Sequence, residues 1–147
     1  MSQSLKILKA LTDATRLRLV ALLSREELSV NELQEITELG QSRISTHLSV
    51  LQENGLLTFR KDGKRSLYRI NPKTTRQAHE CLELARQIAS EGREHEQDGR
   101  NLKRVLEQRS EQAQVYFNQV AGRFDQKYGP GRSWQAFGQL LLQLVPP

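Results

Sequence analysis

The chain is poor in several of the residues that would point to particular kinds of protein. Among its 147 residues there is one cysteine, Cys81, so a disulfide framework and a thiolate-based zinc finger are both excluded within one chain. Aromatic residues make up 5% and hydrophobic residues 37%, which predicts a thin core, helical and shared or incomplete. No apolar run approaches the roughly 20 residues that a membrane-crossing helix needs. Residues Met1 to Lys6 lack a long apolar stretch and a small-residue cleavage site, so the expectation is a cytoplasmic protein with no membrane partner.

The charge that is present is unevenly placed. The total is +5, yet residues 26–38 carry Glu26, Glu27, Glu32, Glu35 and Glu38 with no cation. Residues 41–72 carry Arg43, Arg60, Lys61, Lys64, Arg65 and Arg69 against Glu53 and Asp62, a local +4. Charge runs of this kind are either solvated faces or polyanion-binding surfaces. If a nucleic-acid surface exists, it lies between residues 41 and 72.

Hydrophobic periodicity organises the rest. Leu5, Leu8 and Leu11 have helical spacing, and Asp13 is a candidate N-cap for a helix carrying Leu17, Val20, Ala21 and Leu23. Ser29 and Glu32 form a capping-box pattern at the head of a short helix through Leu33 and Ile36 that ends near Gly40. A further helix is predicted from about Ser42 to Asn54, with Gly55 as its left-handed stop. Its Ile44, Leu48 and Leu51 form one buried stripe, and Ser42, Arg43, Ser45, Thr46, Ser49 and Gln52 a polar outer face. The period then shortens: Leu57 and Phe59, then Tyr68 and Ile70, alternate with polar residues around an Asp62-Gly63 step that favours a tight hairpin. Asn71-Pro72 reads as the cap and first residue of a helix carrying Ala78, Leu82 and Ala85. Residues 91–101 contain no apolar side chain and two glycines, which reads as a solvated, hinged boundary. Helical spacing resumes from Leu102 to Phe124, and Gly129-Pro130-Gly131 separates it from a last amphipathic helix over Trp134 to Val145.

Two helices joined by a short turn and followed by a cation-tipped hairpin have the order of a winged helix-turn-helix. Residues Leu8 to Leu19, Gln41 to Leu51, Gly55 to Leu57, Arg60 to Gly63 and Tyr68 to Ile70 resemble, in that order, motifs of the ArsR/SmtB family of bacterial repressors. The resemblance covers roughly residues 4–72. It implies a mainly α fold with a small β-hairpin: a dimeric winged helix-turn-helix with a C-terminal helical extension. Its function would be that of a sequence-specific DNA-binding transcriptional regulator, a homodimeric repressor on a pseudo-palindromic double-stranded operator. Position by position, Gln41, Ser42, Ser45 and Thr46 are the base-reading candidates, with Arg43 and His47 beside them. Arg60, Lys61, Lys64 and Arg65 are the phosphate-contacting candidates of the wing. His47 is read as a half-buried hydrogen-bonding or phosphate-contacting residue rather than a metal ligand. The implied dimer interface comprises Leu5, Leu8, Ala78, Leu82 and Ala85, the last three on a helix over about residues 73–90.

Many members of the family sense metals through cysteines at the positions of Ser29 and Asn31, and hydroxyl and amide oxygens do not replace soft thiolates. The other common site, on the dimer helix, has Gln77 before His79, with Ser90 and Arg93 at the distal positions. No metal is therefore expected, and release should follow another signal. Cys81 is read as core or interface rather than a redox sensor.

Residues Tyr116 to Asp125 resemble the N-terminal helix of the class I S-adenosylmethionine methyltransferase domain that is fused to some of these regulators, and Leu140 to Pro147 resemble the helix and turn before that domain's first strand. This suggests two regions, 1–98 for DNA binding and 99–147 for the methyltransferase-like cap. An extra helical dimerisation arm is the other reading of the tail. The glycine-rich cofactor turn is not among the 147 residues, so the chain itself is expected to hold no cofactor and to be no enzyme. S-adenosylmethionine or S-adenosylhomocysteine would belong to a longer protein. The alternative function is thus the regulatory N-terminal part of a methyltransferase, with its signal reaching DNA along the helix after Pro72.

Overall fold

The computed structural model describes residues 2–128, with side chains to residue 124. The glycine-proline break at 129–131 and the helix expected over Trp134 to Val145 lie outside the described residues. The chain divides into two compact units, 1–105 and 106–147. The first contains α1 (Gln3–Ala10), α2 (Ala14–Arg25), β1 (Leu28–Ser29), α3 (Val30–Thr37), α4 (Gln41–Glu53), β2 (Leu57–Asp62), β3 (Arg65–Ile70), α5 (Arg76–Ala89) and the start of α6 (His95–Tyr128). Of the second unit, the described residues hold only the continuation of α6, where Val115 and Tyr116 are exposed.

Local chemistry sets most of these boundaries. Asp13 caps α2 by accepting from the Arg16 N–H, and Ser29 with Glu32 completes the reciprocal capping box of α3. At the end of α4, Gly55 takes φ 74°, the Leu56 N–H donates to the Leu51 carbonyl and the Gly55 N–H to that of Gln52. This pairing satisfies two of the helix's terminal carbonyls and needs a left-handed residue that glycine supplies without strain. At the end of α3, by contrast, the left-handed position falls on Glu38, at φ 61°, while Gly40 caps α4.

Leu19, Val20, Leu28, Leu33, Ile44, Leu48, Leu51 and Leu56 form the centre of the core, each at most 1% exposed. The Ile44, Leu48 and Leu51 stripe of α4 is therefore buried as its spacing predicts, which turns the polar face outward. The sheet has the order β1-β3-β2 and is antiparallel throughout. Asp62 pairs with Arg65, so the hairpin turns on Gly63-Lys64, with Gly63 at φ 64°.

Three expectations need correction. First, the sheet has a third strand, β1, whose Leu28 and Ser29 pair with Tyr68 and Leu67. Second, Asn71-Pro72 does not start a helix. The Asn71 side chain accepts from the Lys73 N–H and donates to the Gly55 carbonyl, building a turn, and Thr75 caps α5. Third, residues 91–101 are not solvated throughout: Glu91 to Glu94 are an exposed turn, but two later side chains are buried. Asp98, Asn101, Leu102 and Val105, at i, i+3, i+4 and i+7, form a buried stripe whose first half is polar. Asp98 chelates Arg18 at 2.8 and 2.9 Å, and Asn101 donates to the Ile36 carbonyl at 2.9 Å. Buried polar groups are tolerated when partnered in this way, and such a stripe leaves no apolar periodicity to read.

Candidate nucleic-acid interface

The outward face of α4 carries the predicted base-reading residues. Gln41, Ser42, Arg43, Ser45 and Thr46 are all exposed, while His47 is half-buried. Gly40 caps the helix without a side-chain hydrogen bond, so the first-turn amides and the positive end of the helix dipole are left for an anion. Thr46 donates its hydroxyl to the Ser42 carbonyl at 2.9 Å, which leaves its oxygen as an acceptor. Arg43 reaches back to α2 and donates to the Thr15 hydroxyl at 3.1 Å.

His47 is held by the start of α2. Arg16 approaches His47 Nδ1 at 3.2 Å and also donates to the Ala10 carbonyl, and Asp13 lies 4.0 Å from the same ring nitrogen. Burial works to raise the pKa of Asp13, but the Arg16 N–H hydrogen bond and the charges of His47 and Arg16 outweigh it and hold the carboxyl below its ordinary value. Sequence reasoning missed Thr15 and Arg16 as supports of the recognition helix. Their proximity to the Asp13 cap was the available signal.

The wing cations differ from one another. Lys61 and Lys64 are exposed with no ion-pair partner among the described residues. Arg60 is chelated by Glu27 at 2.7 to 3.1 Å, and that hydrogen bonding raises its already high pKa. Arg65 lies 3.2 Å from Asp62 and 3.9 Å from Glu32. The four were read from the sequence as equivalent, yet two of them are largely neutralised.

On the other side, α1 packs on α5, and Ser4 Oγ donates to Gln77 Oε1 at 2.6 Å. Leu5 and Leu8 are exposed at 51% and 48%. Ala78, Leu82 and Ala85, placed in the dimer interface by the resemblance, are each 3% exposed within the protomer, because α5 turns them toward its own chain and packs on α2. The exposed apolar residues of α5 are Leu84 and Ile88.

Ser29 Oγ is occupied by the Glu32 N–H, and no group of three candidate metal ligands gathers among the described residues. No helix among them is long and apolar enough to cross a membrane.

A capped helix pair, an exposed polar second helix and a cationic hairpin behind it define a winged helix-turn-helix protein. A family model described as bacterial regulatory protein, arsR family, matches residues 13–58. The arsenic resistance transcriptional regulator ArsR2 of Pseudomonas putida is 38% identical over 86 residues, covering 58% of this chain and 75% of that protein. Its ArsR1 is 45% identical over 67 residues, 45% of this chain and 52% of that protein, so the chain spans about half the length of that relative. Among solved structures, the homodimeric winged helix-turn-helix DNA-binding domain of a possible ArsR-family transcriptional regulator from Mycobacterium bovis matches with a TM-score of 0.51 at 29% identity, over 63% of this chain and 83% of that one. The chain belongs to the arsR family of bacterial regulatory proteins.

Proposed function

We propose that this protein is a sequence-specific DNA-binding transcriptional regulator, acting as a homodimeric repressor in the cytoplasm, by binding and not by catalysis. The observation that carries the proposal is the exposed polar face of α4, with Gln41, Ser42, Ser45 and Thr46 outward and Ile44, Leu48 and Leu51 fixed in the core. A helix of that width enters a major groove, where short donors and acceptors reach base edges. The wing lysines add sequence-independent phosphate attraction. Dimerisation is supported by Leu5, Leu8, Leu84 and Ile88, large apolar residues left exposed on two helices that pack together.

Release is assigned to a signal other than thiolate-bound metal, because Ser29 is committed to its cap. The likeness of Tyr116 to Asp125 to a methyltransferase's first helix supports S-adenosylmethionine or S-adenosylhomocysteine as that signal in a longer chain, held by residues beyond those described. Selection of bound duplexes from a random DNA pool tests the function. The expected product is a pseudo-palindrome with half-sites about one helical turn apart. Enrichment of no sequence would refute it.

A further inference from the structure

The C-terminal end of α3 is held from outside the helix-turn-helix. The carbonyls of Ile36 and Thr37 fall in the last turn, where a helix supplies no partner of its own. Asn101 of α6 donates Nδ2 to the Ile36 carbonyl at 2.9 Å, and Arg18 donates Nη2 to the Thr37 carbonyl at 3.1 Å. The same Arg18 is fixed by Asp98 of α6 through two hydrogen bonds, with the side chains 18% and 7% exposed. Gln97 donates to Asn101 Oδ1 at 2.9 Å, which fixes the orientation of the Asn101 amide. Immediately after these carbonyls comes the connection Glu38-Leu39-Gly40, with Glu38 left-handed and the Leu39 N–H on Thr37 Oγ1 at 3.4 Å. Gly40 then starts α4.

We propose that Asp98 and Asn101 are positioning residues for the recognition helix: from α6 they hold the last carbonyls of α3, directly and through Arg18, and thereby the turn that aims α4. The use of that aim rests on the DNA-binding function proposed above. The left-handed Glu38 is a conformation that an ordinary residue keeps only when its surroundings impose it, and these two side chains supply that constraint. The arrangement also gives a route between the C-terminal part of the chain and the DNA-reading helix that bypasses α5. Whatever displaces the start of α6 takes two hydrogen-bonding side chains away from the α3–α4 turn.

The test uses the full chain with Asp98→Asn, which keeps shape and removes charge, and Asn101→Ala. Leu102→Ala serves as a control for packing alone. Two quantities are measured: the ratio of affinities for a selected operator and for a random duplex, and amide hydrogen exchange. The expected result is a fall of roughly 2- to 30-fold in that ratio. Random-duplex affinity and its salt dependence should hold, since the wing is untouched. Exchange should rise at residues 38–43 but not in α2. An unchanged ratio with unchanged exchange overturns the proposal, and so does a uniform rise in exchange across residues 1–105, which would indicate a plain folding role. If Asp98→Asn does not fold, Asn101→Ala carries the test. A native chain that prefers no sequence refutes the DNA-binding function instead. The exchange pattern then decides alone whether α6 holds the turn.

Discussion

Replacing Lys61 and Lys64 together by Ala separates the two halves of the wing's charge. Each phosphate contact contributes about 0.9 to the slope of log affinity against log salt, so the loss of two from each wing of the dimer lowers the slope by about 3.6. Between about 50 and about 200 mM salt, the native dimer should therefore lose about 150-fold more affinity than the variant. The difference is largest at low salt and independent of DNA sequence. Replacing Arg60 and Glu27 together by Ala should behave differently, because Glu27 already chelates that guanidinium and the pair carries no net charge to a phosphate. Its effect on the slope should be close to zero. Fluorescence anisotropy with a labelled duplex over a salt series measures all three proteins. If the Arg60 and Glu27 double variant flattens the slope as much as the lysine variant does, Arg60 leaves Glu27 for the DNA and the reasoning from the pairing is wrong. If the lysine variant keeps the native slope, the wing does not lie on the phosphates at all.

The remaining expectations concern stability, assembly and signal. Asp13→Ala removes the α2 cap and should cost about 1 kcal/mol in urea unfolding. Because the folded pKa of Asp13 is lowered, its contribution is present above the unfolded value of about 4 and fades as pH falls through the folded one, so native and Asp13→Asn proteins should converge in strong acid. Leu5→Glu with Ile88→Glu should convert a dimer to a folded monomer in sedimentation. Leu82→Ala should instead destabilise the protomer by roughly 2–5 kcal/mol, as for a buried leucine. Dissociation by Leu82→Ala without loss of protomer stability would contradict its burial. Micromolar zinc, cadmium or arsenite should leave operator affinity unchanged, as should S-adenosylmethionine with this chain. Chelator-reversible release by a metal would show that a metal site had been overlooked.

The features legible in the sequence were those set by near neighbours. The Asp13 cap, the Ser29–Glu32 box and the Gly55 stop each need only residues within a few positions, and all three are present. The Ile44, Leu48 and Leu51 stripe was equally plain, so the outward face of α4 followed from it. What stayed hidden depends on partners far along the chain. β1 has two residues, too few to show a period, and exists because β3 pairs with it. Arg60 looked like a free cation because Glu27 lies 33 residues away. Asp98 and Asn101 looked solvated because their partners, Arg18 and the Ile36 carbonyl, are 80 and 65 residues distant. Asn71-Pro72 read as a cap and first helical residue because the Gly55 carbonyl, which takes the Asn71 amide into a turn, lies 16 residues away.

Short as it is, β1 makes β3 the central strand and leaves β2 as the open edge of the sheet. An uncovered edge invites another strand to add to it, and charged side chains, lysine above all, are the usual deterrent. Lys61 lies on β2 and Lys64 at the turn that ends it, so the cations proposed to meet phosphate are also charges of the kind that discourage one wing from pairing with the next. Neutralising them for the sake of DNA specificity would strip the strand of that guard. Such variants would trade nonspecific binding for a tendency to aggregate as concentration rises.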